Sequence, residues 1–92
     1  MSDTTRYVLF YENGENFAAV REHFPAHQAR WQGFMERGTL LMVGPYTDGE
    51  GGAMAVLTTR EAAEEFATGD PFVLNQVVGK WRVREWRAVT PE

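Results

Sequence analysis

The segment Thr5 to Glu12 is apolar on both of its faces. It reads as a strand with Tyr7, Leu9 and Tyr11 on one side and Val8 and Phe10 on the other. The pattern returns in Thr39 to Tyr46, where Leu40 and Met42 oppose Leu41 and Val43. It returns again in Lys80 to Val89, where Trp81 and Val83 oppose Trp86 and Ala88. A sheet built from such strands has to be covered on both sides.

Between the strands the apolar period becomes helical. Phe24, His27, Trp31, Phe34 and Met35 form one stripe, which predicts a helix from Arg21 or Pro25 to Arg37, stopped by Gly38. Pro25 suits the first turn of that helix. Asn13-Gly14-Glu15-Asn16 is turn chemistry, and Phe17 to Glu22 is a helical lead-in. The stretch Tyr46 to Gly52 reads as a hairpin connection to a third strand, Ala53 to Thr58, because a glycine-rich phosphate loop opens a helix and this one opens a strand. Thr58-Thr59-Arg60-Glu61 is a capping-box pattern ahead of Ala62, Ala63, Phe66 and Ala67, with Gly69 as the stop. Asp70-Pro71 then begins a short helix reaching Val78 or Gly79.

The resulting order is βαββαβ with one short extra helix before the last strand, an α+β ferredoxin-like sandwich. Two helices cover one face of its sheet. The other face is expected to meet a second copy of the chain, since an extended apolar sheet face is an aggregation liability in a domain of 92 residues. A single domain over residues 1–92, assembled as a homodimer, is the expectation.

A net charge of −4 argues against general nucleic-acid binding, and the third strand, Ala53-Met54-Ala55-Val56-Leu57, lacks the stacking aromatics of an RNA-binding sheet. Lys80, Arg82 and Arg84 alternate and so share one face, either paired with Glu61, Glu64 and Glu65 or available to an anionic ligand. No apolar run approaches the roughly 20 residues of a membrane span, and no basic leader precedes an apolar segment, so a cytoplasmic location is expected. The absence of cysteine excludes disulfide and thiolate chemistry.

Within this frame His27 is out of place. An imidazole on the apolar stripe, three residues after Phe24 and four before Trp31, needs a hydrogen-bond partner. A backbone carbonyl would make it a plain core histidine; Asp70 would make it half of an acid/base pair. Asp70 also has a capping role of its own, and the two roles are compatible. His23 lies four residues before His27, a spacing compatible with metal binding, but no third ligand accompanies it and no metal is expected. The tyrosines and tryptophans are core or interface candidates, with Tyr46 the one best placed to stack on a ligand.

Four pieces now stand in a recognisable order: Arg6-Tyr7-Val8-Leu9-Phe10; Pro25-Ala26-His27 with Arg30; Gly38-Thr39-Leu40-Leu41-Met42-Val43-Gly44-Pro45; and Asp70-Pro71-Phe72. Across nearly the whole chain they resemble the YCII-related domain family. The resemblance implies a dimeric α+β barrel of two ferredoxin-like subunits, with His27 and Asp70 matching the family's histidine and aspartate. That family includes an enzyme that removes chloride from a chlorinated hydroxyhydroquinone. The expected function is a small cofactor-independent enzyme performing elimination, dehydrochlorination or isomerisation on a small cyclic or aromatic metabolite. His27 and Asp70 would be catalytic, and Tyr46 and Arg30 would contact substrate. The alternative is a non-catalytic small-molecule-binding or accessory protein with the same pocket.

Overall fold

The computed structural model describes residues 1–91. Four strands, β1 (Ser2–Asn13), β2 (Leu40–Pro45), β3 (Ala53–Leu57) and β4 (Val78–Thr90), form one antiparallel sheet in the order β2-β3-β1-β4. Three helices, α1 (Val20–Glu36), α2 (Arg60–Gly69) and α3 (Pro71–Leu74), complete the ferredoxin-like α+β fold. The registers settle which residues share a face. Leu9 opposes Ala55 and Val83, and Tyr11 opposes Ala53 and Trp81, on the side that packs against the helices. Phe10 opposes Met54 and Arg82, and Val8 opposes Val56 and Arg84, on the other.

The core sits between the first of these faces and the helices. Leu9, Leu57, Ala63, Phe66, Ala67 and Val77 are essentially inaccessible there. Alanines at positions 62, 63 and 67 let α2 lie close on the strands, and Phe66 fills the space between them, meeting Phe34 of α1 edge-on with centroids 5.1 Å apart. The opposite face keeps Phe10 and Met54 half-buried and Met42 and Trp86 exposed. Arg82 and Arg84 stand on that same face, so neither reaches the glutamates of α2; among the described residues Glu65 pairs instead with Arg37, at 3.7 Å.

Three local expectations are corrected. Helix α1 starts at Val20, preceded by a 3-10 turn over Phe17–Ala19, and carries Pro25 inside it. The proline removes the N–H that would pair with the Arg21 carbonyl, and both residues are exposed. Thr59 rather than Thr58 caps α2, accepting from the Ala62 N–H at 3.0 Å, which leaves Glu61 one position short of a reciprocal capping box. Helix α3 ends at Leu74 because Gln76 adopts a left-handed conformation (φ 62°) and the carbonyls of Gln76 and Val77 accept from Asn16 and Gly14 of the turn after β1. Gly14 has to be glycine in that contact, since a Cβ there would collide with the Gln76 carbonyl.

Candidate active site

Asp70 occupies a junction. It follows the last residue of α2, has extended backbone (φ −68°, ψ 125°) and is at once the C-cap of α2 and the N-cap of α3, with Pro71 next in chain. Its Oδ1 accepts the cap bond from the Phe72 N–H at 3.0 Å. The same oxygen meets Nδ1 of His27 at 2.8 Å, and Oδ2 accepts from the Tyr11 hydroxyl at 2.6 Å. No part of the Asp70 residue is accessible. Some forty residues apart in sequence, His27 and Asp70 meet because α1 and the α2–α3 junction lie on one side of the sheet.

The Phe72 N–H can only donate, so Oδ1 is an acceptor, and the proton of the neutral imidazole is assigned to Nδ1. Phe72 fixes the ring from another direction, stacked parallel to it at 3.8 Å and 8°, with Phe66 against an edge at 6.3 Å. Nε2 has no partner among the described residues, yet it is not an enclosed polar atom left unpaired. It therefore opens on the space that His27 lines. That space is a cavity of about 330 Å³ between the sheet and α1, walled chiefly by apolar and aromatic side chains such as Leu9, Phe24, Trp31, Val43 and Phe72.

The other two expected site residues are placed differently from each other. Tyr46 lines the cavity at the end of β2, its ring edge close to Gly52, whose φ of 86° and missing Cβ let the aromatic lie against the hairpin backbone. Arg30 is not on the cavity wall. Its guanidinium donates to the carbonyls of Phe66 (3.1 Å) and Glu65 (2.7 Å) near the end of α2, lies over the Phe34 and Phe66 rings, and packs where Gly69 has no side chain. Position 30 thus joins α1 to α2. His23, one turn before His27, is partly exposed and faces Glu22 at 3.8 Å.

Tyr11 is the site residue that sequence reasoning left in the core. Alternation along β1 groups it with Tyr7 and Leu9, and only the fold turns that face toward the helices and brings Asp70 to its hydroxyl. Burial above all, and then the charge and hydrogen bond of Asp70, push its phenol well above its ordinary range, against a smaller pull downward from the charge of Arg30. Because the folded-state value is raised, the stability this protonated phenol supplies is complete below about pH 10, the ordinary tyrosine value, and declines above it. Tyr11→Phe should therefore lower stability by roughly 1.5 to 3 kcal/mol at neutral pH, the range for a hydrogen bond to a charged group. The deficit should shrink in denaturant titrations run at progressively alkaline pH.

A four-stranded antiparallel sheet of this order, with helices on one face, is a ferredoxin-like α+β fold, here with a His–Asp contact buried beneath the helices. The family model of the YCII-related domain matches residues 5–87, and the chain belongs to that family. Among solved structures, the fold is similar to 5-chloro-2-hydroxyhydroquinone dehydrochlorinase (TftG) from Burkholderia phenoliruptrix AC1100, in complex with 2,5-dihydroxybenzoquinone. That match has a TM-score of 0.71 and 15% identity and covers 88% of this chain and 92% of that one. A conserved protein from Methanosarcina mazei Go1 is similar with a TM-score of 0.58 and 10% identity, over 90% and 91% of the two chains. An antibiotic biosynthesis monooxygenase follows at 0.56 and 11%, over 95% and 100%. No curated protein matches the sequence.

Proposed function

We propose that this chain is a small cofactor-independent enzyme that moves a proton with His27, in an elimination, dehydrochlorination or isomerisation of a small cyclic or aromatic metabolite. The observation that carries the reading is the imidazole itself, held through Nδ1 at 2.8 Å by a fully buried aspartate while Nε2 opens on an apolar cavity. In an elimination, Nε2 takes a proton from a ring carbon or hydroxyl. The electron pair of the broken bond forms a new double bond in the substrate, and the leaving group departs with its own pair as an anion. Asp70 neither gives nor takes the proton; it orients the ring and stabilises the imidazolium that forms. In an isomerisation the same imidazolium returns the proton to a different atom. Tyr46, and Arg30 through the placement of α1 on α2, would support the substrate face of the cavity. The dehydrochlorinase that shares this fold performs a reaction of this type.

The test is a panel of halogenated phenols, halogenated hydroquinones and lactones, scored for halide release or ring rearrangement. Turnover that requires His27 supports the enzyme. Ligand capture in the cavity with no turnover on any compound would make the chain a binding protein.

The assembly belongs to the same proposal. The sheet face away from the helices carries Phe10, Met42, Met54 and Trp86, and a second copy packed on it completes a homodimeric α+β barrel. Light scattering should give twice the chain mass at micromolar concentration. Trp86→Glu, which buries a carboxylate in that interface, should weaken association by roughly tenfold or more, and a wild-type monomer would refute the pairing.

A further inference from the structure

The wall of the cavity beside His27 contains no Lys, Arg, Asp or Glu among the described residues. Directly behind it lies the carboxylate of Asp70, whose hydrogen-bond partners are an imidazole, a phenol and a backbone N–H, with no lysine or arginine in contact. The charge of Arg30 is felt at Tyr11. Arg30 stands off the cavity wall, however, with Nε and Nη2 donating to the carbonyls of Phe66 and Glu65. An anion entering this space would give up its hydration beside a buried negative charge and find no guanidinium or ammonium to replace it. A neutral ligand escapes that penalty. When it loses a proton to Nε2, the ligand anion and the imidazolium form together, so the site gains no net charge.

Size narrows the ligand further. The cavity holds about 330 Å³, roughly twice the ~150 Å³ of an apolar protein cavity that takes one benzene. Its flat surfaces are aromatic: Phe24, Trp31, Tyr46 and Phe72 all line it. The lining side chains able to hydrogen-bond are His27, Asn13, Trp31, Tyr46 and Tyr11, with Asn13 tied to the hairpin through the Gly52 N–H at 3.0 Å and the Tyr11 hydroxyl committed to Asp70.

We infer that the cavity takes an uncharged, flat molecule of about two fused rings that points a hydroxyl or other acidic hydrogen at His27, and that it rejects carboxylates and phosphates of the same shape. The direction of the acidic hydrogen rests on the proton-transfer reading above; the exclusion of anions and the size rest on the cavity alone.

Three probes separate these features: 2-naphthol, which is neutral at neutral pH; 2-naphthoate, which has the same rings and a negative charge; and phenol, which has one ring. Binding is measured by quenching of tryptophan fluorescence and located by NMR shifts of the Trp31 indole and the His27 ring. The expected result is 2-naphthol bound at least tenfold more tightly than either other probe, with both residues shifted. Equal or tighter binding of 2-naphthoate would overturn the inference, as would equal binding of phenol, shifts confined to other residues, or no binding of 2-naphthol. Turnover is scored separately on the substrate panel. Preference for 2-naphthol without His27-dependent turnover would leave the ligand class standing and remove the enzyme. His27-dependent turnover of a carboxylate compound would do the reverse.

Discussion

Replacing His27 with asparagine should reduce turnover by about 10²- to 10⁴-fold, the range for losing a positioned general base, while ligand affinity changes far less. Asparagine carries its amide nitrogen at the same distance along the side chain as Nδ1 and can still donate an N–H to the Asp70 carboxylate, so the buried acceptor keeps a partner and the fold holds. What it cannot do is accept and return a proton. The split between kcat and KM is therefore the diagnostic: a catalytic role predicts that the loss falls on kcat, whereas a role in packing alone predicts parallel losses in stability and affinity. Single-turnover kinetics on an active compound, beside thermal unfolding of both proteins, checks it. A variant that unfolds in step with its lost activity would count against the assignment.

Substitution of Asp70 should have the larger effect on the fold, and its two variants should differ sharply. Asp70→Ala removes the cap of α3 and the acceptor for both the Nδ1–H and the Tyr11 hydroxyl. With a cap worth ~0.5–2 kcal/mol and two buried donors left unpaired at about 1–3 kcal/mol each, a loss of roughly 2.5 to 8 kcal/mol is expected in denaturant unfolding. Asp70→Asn should keep most of the stability. The Phe72 N–H would hold the asparagine oxygen in the Oδ1 position, because the amide nitrogen there would set two donors against each other. The cap bond and the His27 contact then survive, and the amide turns toward Tyr11. What disappears is the negative charge beside the imidazolium. Activity should consequently fall by about 10- to 100-fold, the worth of a charge-assisted hydrogen bond, in a protein that remains folded. Full activity in Asp70→Asn would mean that the charge of Asp70 contributes nothing and that its hydrogen bonds to the ring and to the Phe72 N–H are all the site requires.

The element order was legible because each strand and helix carries its own period. The two-sided apolar strands β1 and β4 and the alanine-rich face of α2 leave little freedom in how the chain can fold. Local capping also announced the Asp70-Pro71 junction, and an imidazole on an apolar stripe announced a partner. What stayed hidden depends on contacts between distant segments. Of the two starts that the pattern allowed for α1, the one ahead of Pro25 holds, and the proline sits inside the helix where the residue whose carbonyl it strands is exposed, which periodicity does not report. Helix α3 stopped early because the turn after β1 claims the carbonyls of Gln76 and Val77. The part played by Tyr11 depends on which strand face meets the α2–α3 junction, and alternation alone leaves that undecided. Arg30 carried no local sign of its commitment to the end of α2, since Gly69 makes room for it only in the folded chain.

The central claim is that His27 presents an unprotonated Nε2 to the cavity while Asp70 retains the proton on Nδ1. The most direct test is a long-range proton–nitrogen correlation spectrum of protein labelled at histidine with nitrogen-15. It would be recorded at about pH 9, well above the ordinary imidazole range, with a His23→Gln variant to assign the two rings. The prediction is a neutral His27 ring carrying its proton on Nδ1, with the Nε2 resonance shifting on addition of 2-naphthol. A ring carrying its proton on Nε2 would contradict the account, because the cavity would then face a donor and contain no base.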